Sequence, residues 1–121
     1  MTRTHSRLTA QALLCAAVVL ANPAWATQYS CTGKVDRVSM NPSGGVNASF
    51  TFQSGTMAFQ DVCTLTADSA GAGCKGILAM LLLAHQTQRD VIMWFDNSTG
   101  SCSTTAWKPL KDVGWYWGPS F

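Results

Sequence analysis

Four cysteines constrain the fold of this chain more than any other feature of its 121-residue sequence. They are spread through residues 27–121, where His85 is the sole histidine and no C-x-x-C spacing occurs. A structural zinc site would have to gather all four thiolates without the paired spacing typical of such sites. An even number of cysteines in a short exported domain instead indicates disulfide bonds. The sequence therefore predicts no metal site, and two disulfides among Cys31, Cys63, Cys74 and Cys102.

The N-terminal residues predict export. An apolar run at 12–20 follows two arginines and precedes Ala24-Trp25-Ala26, which has the small-x-small pattern of a signal-peptide cleavage site. A membrane-spanning helix would need about 20 apolar residues, so the run is too short for one. We predict a cleaved signal peptide at 1–26. We also predict a single mature domain at 27–121 that is secreted or periplasmic and has no transmembrane segment.

The charge of the mature domain argues against nucleic acid as a partner. The formal net charge of +2 comes from Arg3 and Arg7, which leave with the predicted signal peptide. Without these two, the 8 Lys and Arg residues of the chain are reduced to the same number as its 6 acidic residues. A neutral domain lacks the basic surface that binding to a phosphate backbone requires.

Residues of the kinds that carry catalysis are scarce, so we predict no enzyme activity and no cofactor. His85 is the only conventional base of the mature domain, and it stands in an apolar segment where a structural role is more common. All acidic residues are aspartates, scattered along the chain rather than paired as glycoside hydrolysis requires. Gly44-Gly45 is typical of a turn, not of a phosphate-binding loop.

The pattern of apolar residues predicts five strands and one helix. A slip in the alternation between Val35 and Val38 predicts a β-bulge or a sharp bend in the first strand. One helix between the third and fourth of five strands is the element order of the OB-fold, so we predict a mainly β, five-stranded barrel. The strands are predicted at 29–40, 46–53, 56–65, 90–97 and 113–121, and the helix at 74–88.

The barrel predicts how the cysteines pair. Its first and fourth strands are antiparallel neighbours, so Cys31 at the start of one would lie beside Cys102 after the end of the other. Cys63 ends the third strand and Cys74 begins the helix, and a bond between them would close the intervening loop. Of the three connectivities open to four cysteines, this fold favours Cys31–Cys102 and Cys63–Cys74.

Aromatic residues in the last third of the chain are the best candidates for binding. On a regular strand Trp115 and Trp117 point one way and Tyr116 the other, so one set would fill the barrel and the other would face outward. Exposed aromatic rings beside polar side chains can hold sugars. The alternative is that these rings are anchors of the core or of a subunit interface. The ligand-binding candidates are Trp107, Trp115, Tyr116, Trp117, Asp96 and Asn97.

Several features of the layout occur together: the signal peptide, Cys31-Thr32-Gly33-Lys34-Val35 in the first strand, a cysteine closing strand three, Cys74-Lys75 opening the helix, and a cysteine after strand four. This layout resembles that of small exported bacterial OB-fold proteins. It is similar to that of the B-subunits of AB-type toxins, particularly the subtilase cytotoxin binding subunit. The resemblance implies a homo-pentameric ring that binds cell-surface glycans without catalysis of its own.

We therefore expect a secreted or periplasmic, non-catalytic binding module of the glycan-binding B-subunit type. The alternative is an envelope domain that binds or inhibits another protein and has no lectin activity.

Overall fold

The computed structural model describes residues 27–66, 68–105 and 107–121, without the side chains of 68–70. The predicted signal peptide lies outside the described residues. Five antiparallel strands form one sheet, and a single helix connects the third strand to the fourth, as predicted. The elements are β1 (Thr27–Met40), β2 (Gly45–Phe52), β3 (Gly55–Thr64), α1 (Asp68–Thr87), β4 (Val91–Asn97), a 3-10 turn (Leu110–Val113) and β5 (Trp115–Ser120).

The helix begins earlier than its apolar pattern predicts. It starts at Asp68, whereas the sequence predicts residue 74. The small residues before Cys74 are typical of a loop, but Gly71 serves a different purpose. A Cβ atom at Gly71 would come within 2.6 Å of the Leu65 carbonyl oxygen. Glycine at this position therefore lets the first turn of α1 pack directly against the chain that leaves β3.

The sheet has the strand order β3-β2-β1-β4-β5 and is not closed. Instead of pairing with β5, the edge of β3 is covered by residues 104–105 and 107–109, which we call the strap. Parallel bridges join the strap to β3 at Met57–Thr104 and at Asp61–Pro109. Because the strap takes up hydrogen-bonding groups on this edge, β5 does not pair there in the described residues. The predicted closed OB barrel is therefore not confirmed.

The core lies between the inner face of the sheet and one side of α1. Strict alternation in β2 buries Val46, Ala48, Phe50 and Phe52, as its sequence pattern predicts. From α1, Leu81 and Ala84 are buried against this face, while Leu82 and Leu83 remain exposed. The helix thus buries a narrower stripe than its apolar composition indicates. No helix in the described part of the chain is long and apolar enough to span a membrane.

Both predicted disulfides are confirmed. The Cα atoms are 5.7 Å apart in Cys31–Cys102 and 5.6 Å apart in Cys63–Cys74. The first bond ties the middle of the sheet to the loop that leads into the strap. The second ties the end of β3 to α1. Each therefore holds a connecting segment against the core.

Candidate ligand-binding groove

Ser49, in the middle of β2, lies between two β-bulges, one in β1 and one in β3. The register of β1 against β2 shifts between Val35 and Arg37, which confirms the predicted bulge. The register of β3 against β2 shifts opposite Ala48 and Phe50. Bulges bend strands and re-aim their side chains. Together these two open a groove of about 300 Å³ on the outer side of the sheet.

The rim of the groove is polar. The hydroxyl of Thr51 donates a hydrogen bond to Asp36 Oδ2 at 2.7 Å. Ser49 and Thr56 add two more hydroxyl groups. The guanidinium carbon of Arg37 lies 5.1 Å from the centroid of the Phe59 ring. The groove therefore offers a carboxylate, a cation and several hydroxyls within one small surface.

Phe59 lines one wall of the groove, and Trp107 stacks on Phe59 without lining the groove itself; we call these two rings the aromatic wall. The rings of Phe59 and Trp107 are stacked, with centroids 5.3 Å apart and planes inclined by 16°. The backbone N–H of Trp107 donates to the carbonyl oxygen of Phe59 at 2.9 Å. Trp107 is nevertheless 72% exposed. A flat aromatic surface of this kind, with one ring open to solvent, is suited to stacking against a ligand.

Both residues of this pair adopt left-handed backbone conformations. Phe59 has φ of +44° and Trp107 has φ of +63°. Bulky residues rarely occupy this region, because the Cβ atom crowds the backbone. Such strain persists only where the surrounding structure imposes it, and it is concentrated at functional sites. The strained backbone is thus a second, independent feature that marks this wall of the groove.

The residues predicted to bind ligand are not brought together into one site. Of these residues, only Trp107 contacts a residue that lines the groove, by stacking on Phe59. A register shift in β5 pairs Trp115 with the buried Phe95 and Trp117 with the exposed Trp94. Trp115 and Trp117 are therefore on opposite faces of the sheet, and the prediction that they share one face is wrong. The bulge adds a residue between them, which reverses the alternation.

Trp115 and Asn97 have structural contacts. Trp115 packs against the core. The amide nitrogen of Asn97 donates to the Tyr29 hydroxyl at 2.9 Å and to the carbonyl oxygen of Val113. The amide oxygen of Asn97 accepts from the backbone N–H of Thr99 at 2.9 Å. Asn97 thus joins the start of β1 to the loop after β4.

Asp96, Tyr116 and Trp117 are exposed at the β4–β5 side of the sheet. Trp117 is 66% exposed, almost as much as Trp107. These side chains line neither the groove nor the second cavity described below. They therefore form a separate aromatic surface.

A second cavity of about 380 Å³ lies beside the strap, and 6 of its 11 lining residues carry a hydroxyl group. Several of these groups already donate hydrogen bonds to backbone carbonyl oxygens. The Tyr29 hydroxyl donates to the carbonyl oxygen of Ser101 at 2.9 Å, and the hydroxyl of Ser101 is within 3.5 Å of the Ser103 carbonyl.

His85 lies in the last turn of α1, where its Nδ1 atom is 2.9 Å from the carbonyl oxygen of Val35. In the part of the chain that the structure describes, no three His, Cys, Asp or Glu residues are grouped as metal ligands. Comparisons with protein-family models, curated proteins and solved structures find no match. The candidate site is therefore assigned from the geometry of the described residues alone.

None of the residues that line the groove was predicted from sequence; Trp107, which stacks on Phe59, was. The slip in alternation near Val35 indicated the bulge that presents Asp36 and Arg37, and this signal could have found them. Nothing in the sequence distinguishes Phe59 from a core residue, because its exposure depends on the bulge in β3.

Proposed function

We propose that the protein is a non-catalytic binding module, secreted or periplasmic, that holds a glycan in the groove beside Trp107. The observation that carries this proposal is the conformation of Trp107: its backbone is strained, and its indole stacks on Phe59 while remaining exposed to solvent. The apolar face of a sugar ring packs well on an aromatic face. The sugar hydroxyls then need polar partners at the edge of that face.

The rim supplies those partners. A carboxylate such as that of Asp36 accepts hydrogen bonds from neighbouring sugar hydroxyls, while the hydroxyls of Ser49 and Thr56 donate or accept as required. Arg37 contributes fixed donors beside the Phe59 ring. These groups suit a polyhydroxylated ligand better than an apolar one.

The architecture supports an OB-like origin for this site. The order β3-β2-β1-β4-β5 is that of an OB barrel opened between its third and fifth strands, with the strap occupying the gap. Two disulfides require an oxidising compartment, which supports export. Both features agree with a B-subunit-like lectin, and we extend the proposal to a homo-pentamer.

A second function, docking of an envelope protein, is favoured by the aromatic surface at the β4–β5 side. Trp94, Tyr116 and Trp117 are exposed there, on and beside an edge strand. Exposed aromatic clusters often mark protein interfaces. Light scattering separates the two functions, since a pentamer supports the B-subunit-like proposal and a monomer supports a docking or inhibitor domain.

A glycan array tests the groove directly. The oxidised, exported protein is compared with Trp107→Ala and with Trp117→Ala, a matched variant that removes a similarly exposed indole elsewhere. We expect Trp107→Ala to weaken glycan retention about tenfold or more, as loss of a tryptophan anchor does. Trp117→Ala should retain glycans like the parent. If the parent binds no glycan, the lectin proposal is wrong; if only Trp117→Ala loses binding, the site lies on β5.

A further inference from the structure

Gln60 is the one fully buried polar side chain among the described residues, with 0% of its surface exposed. Its amide nitrogen donates to the carbonyl oxygen of Ala58 at 2.7 Å and to that of Thr105 at 2.9 Å. Within the described residues its amide oxygen has no hydrogen-bond partner. A buried amide with one unsatisfied atom is costly, so its presence calls for an explanation.

The bulge in β3 is the reason that Gln60 is inside. With regular alternation after the buried Met57, Phe59 would face the core and Gln60 would face solvent. The additional residue of the bulge reverses this order, so that the glutamine is buried while Phe59 lies half-exposed at the groove. An apolar side chain is moved outward and a polar one inward. Each change lowers the stability of the fold, so stability by itself does not explain the arrangement.

The two hydrogen bonds of Gln60 join the two halves of the aromatic wall. Ala58 belongs to the bulge that directs Phe59 outward, and Thr105 belongs to the strap that carries Trp107. The backbone bonds between strap and β3 lie on both sides of this position, at Trp107 to Phe59 and at Asp61 to Lys108. One side chain thus links the bulge and the strap from within.

The chemistry of the contact requires an uncharged double donor. Both partners are carbonyl oxygens, which only accept hydrogen bonds. A glutamate would place a carboxylate against them, and burial would penalise its charge. Methionine would fill nearly the same volume but would donate nothing. Among side chains of this length, the amide of glutamine meets the requirement.

We propose that Gln60 is a positioning residue of the groove: it sets the strap against the β3 bulge and thereby fixes Trp107 on Phe59 for the ligand. This role deepens the proposed glycan-binding function and rests on it. Gln60 itself lies beneath the wall and acts through Phe59 and Trp107.

The test compares Gln60→Met with Val62→Ala, a control that truncates a buried apolar side chain of the same strand. Hydrogen exchange at the Trp107 amide is measured relative to the amides of β4, and binding is measured on the same printed glycan array. For Gln60→Met we expect relative exchange at Trp107 to rise about tenfold and glycan retention to fall about tenfold. Val62→Ala should leave both unchanged.

The outcomes separate the two proposals. If the parent protein binds no glycan but Gln60→Met still raises hydrogen exchange at the Trp107 amide, the proposed glycan binding is wrong and the positioning role stands. If the parent binds and Gln60→Met alters neither readout, the positioning role is wrong. Equal effects of Gln60→Met and Val62→Ala would also contradict it, because they would reflect general destabilisation. Should Gln60→Met fail to fold, Gln60→Leu is judged by the same two measurements.

Discussion

Trp107 and Phe59 place large aromatic rings on backbone that L-amino acids rarely adopt, and the rings stack on each other at the wall of the groove. A left-handed conformation costs an L-residue roughly 1–2 kcal/mol. Packing does not explain this cost for Trp107, whose indole is largely in solvent. The arrangement is consistent with a role in ligand binding that outweighs local stability.

The left-handed backbone at Trp107 predicts which of two variants, glycine or alanine, is the more stable. At an ordinary exposed position, glycine is less stabilising than alanine because it loses more backbone entropy on folding. At φ of +63° this order should reverse. We expect Trp107→Gly to exceed Trp107→Ala in unfolding free energy by about 1 kcal/mol, measured by denaturant titration. An alanine variant as stable as the glycine variant would contradict the left-handed conformation.

At the scale of elements, irregularities in the strands place the side chains that matter. A bulge in β1 presents Asp36 and Arg37, a bulge in β3 exchanges Phe59 and Gln60, and a bulge in β5 separates the faces of its two tryptophans. In each case a single additional residue reverses the alternation of the strand. Regular strands would have buried Phe59 and left the groove without its aromatic wall.

The β5 bulge predicts unlike behaviour of neighbouring tryptophans. Trp115 is half-buried against the core, and its indole N–H donates to the carbonyl oxygen of Trp117 at 2.9 Å. Trp115→Ala should therefore lower the unfolding free energy by about 2 kcal/mol. Trp117→Ala should change it by no more than about 0.5 kcal/mol, as is usual for exposed positions. Thermal and denaturant melts of the two variants check this, and equal losses would be inconsistent with the register of β5.

At the scale of the whole molecule, two disulfides and a modest core hold a sheet that is open at one side. The strap covers the edge of β3, and Cys31–Cys102 anchors the loop from which the strap departs. A small domain has a stability margin of only about 5–15 kcal/mol. The covalent bonds are therefore a substantial part of what keeps the groove assembled.

The two disulfides should contribute unequally to stability. They span sequence separations of 71 and 11 residues, so the longer loop restricts the unfolded chain more. The chain-entropy relation gives about 4 kcal/mol for Cys31–Cys102 and about 3 kcal/mol for Cys63–Cys74. Paired serine variants of each bond, unfolded in denaturant, should show the larger loss for Cys31–Cys102. Equal losses would mean that the loop-entropy argument does not govern this fold.

Local patterns in the sequence were sufficient for the order of the elements, the bulge in β1 and the pairing of the cysteines. These features depend on alternation within one segment, and on cysteines that stand at the ends of segments. The sequence also distinguished Trp107 as a residue to examine. Trp107 was selected only because aromatic residues are frequent in the last third of the chain, and it was grouped with Trp115 and Trp117, which lie elsewhere.

Tertiary structure alone decided which aromatic residues share a surface and how the sheet ends. Phe59 meets Trp107 because the strap pairs with β3, and α1 begins early because Gly71 packs on Leu65. Each of these outcomes depends on register and close approach between segments that are not continuous in the chain. Alternation within one strand predicts its two faces, but a single bulge, set by the neighbouring strands, reverses them.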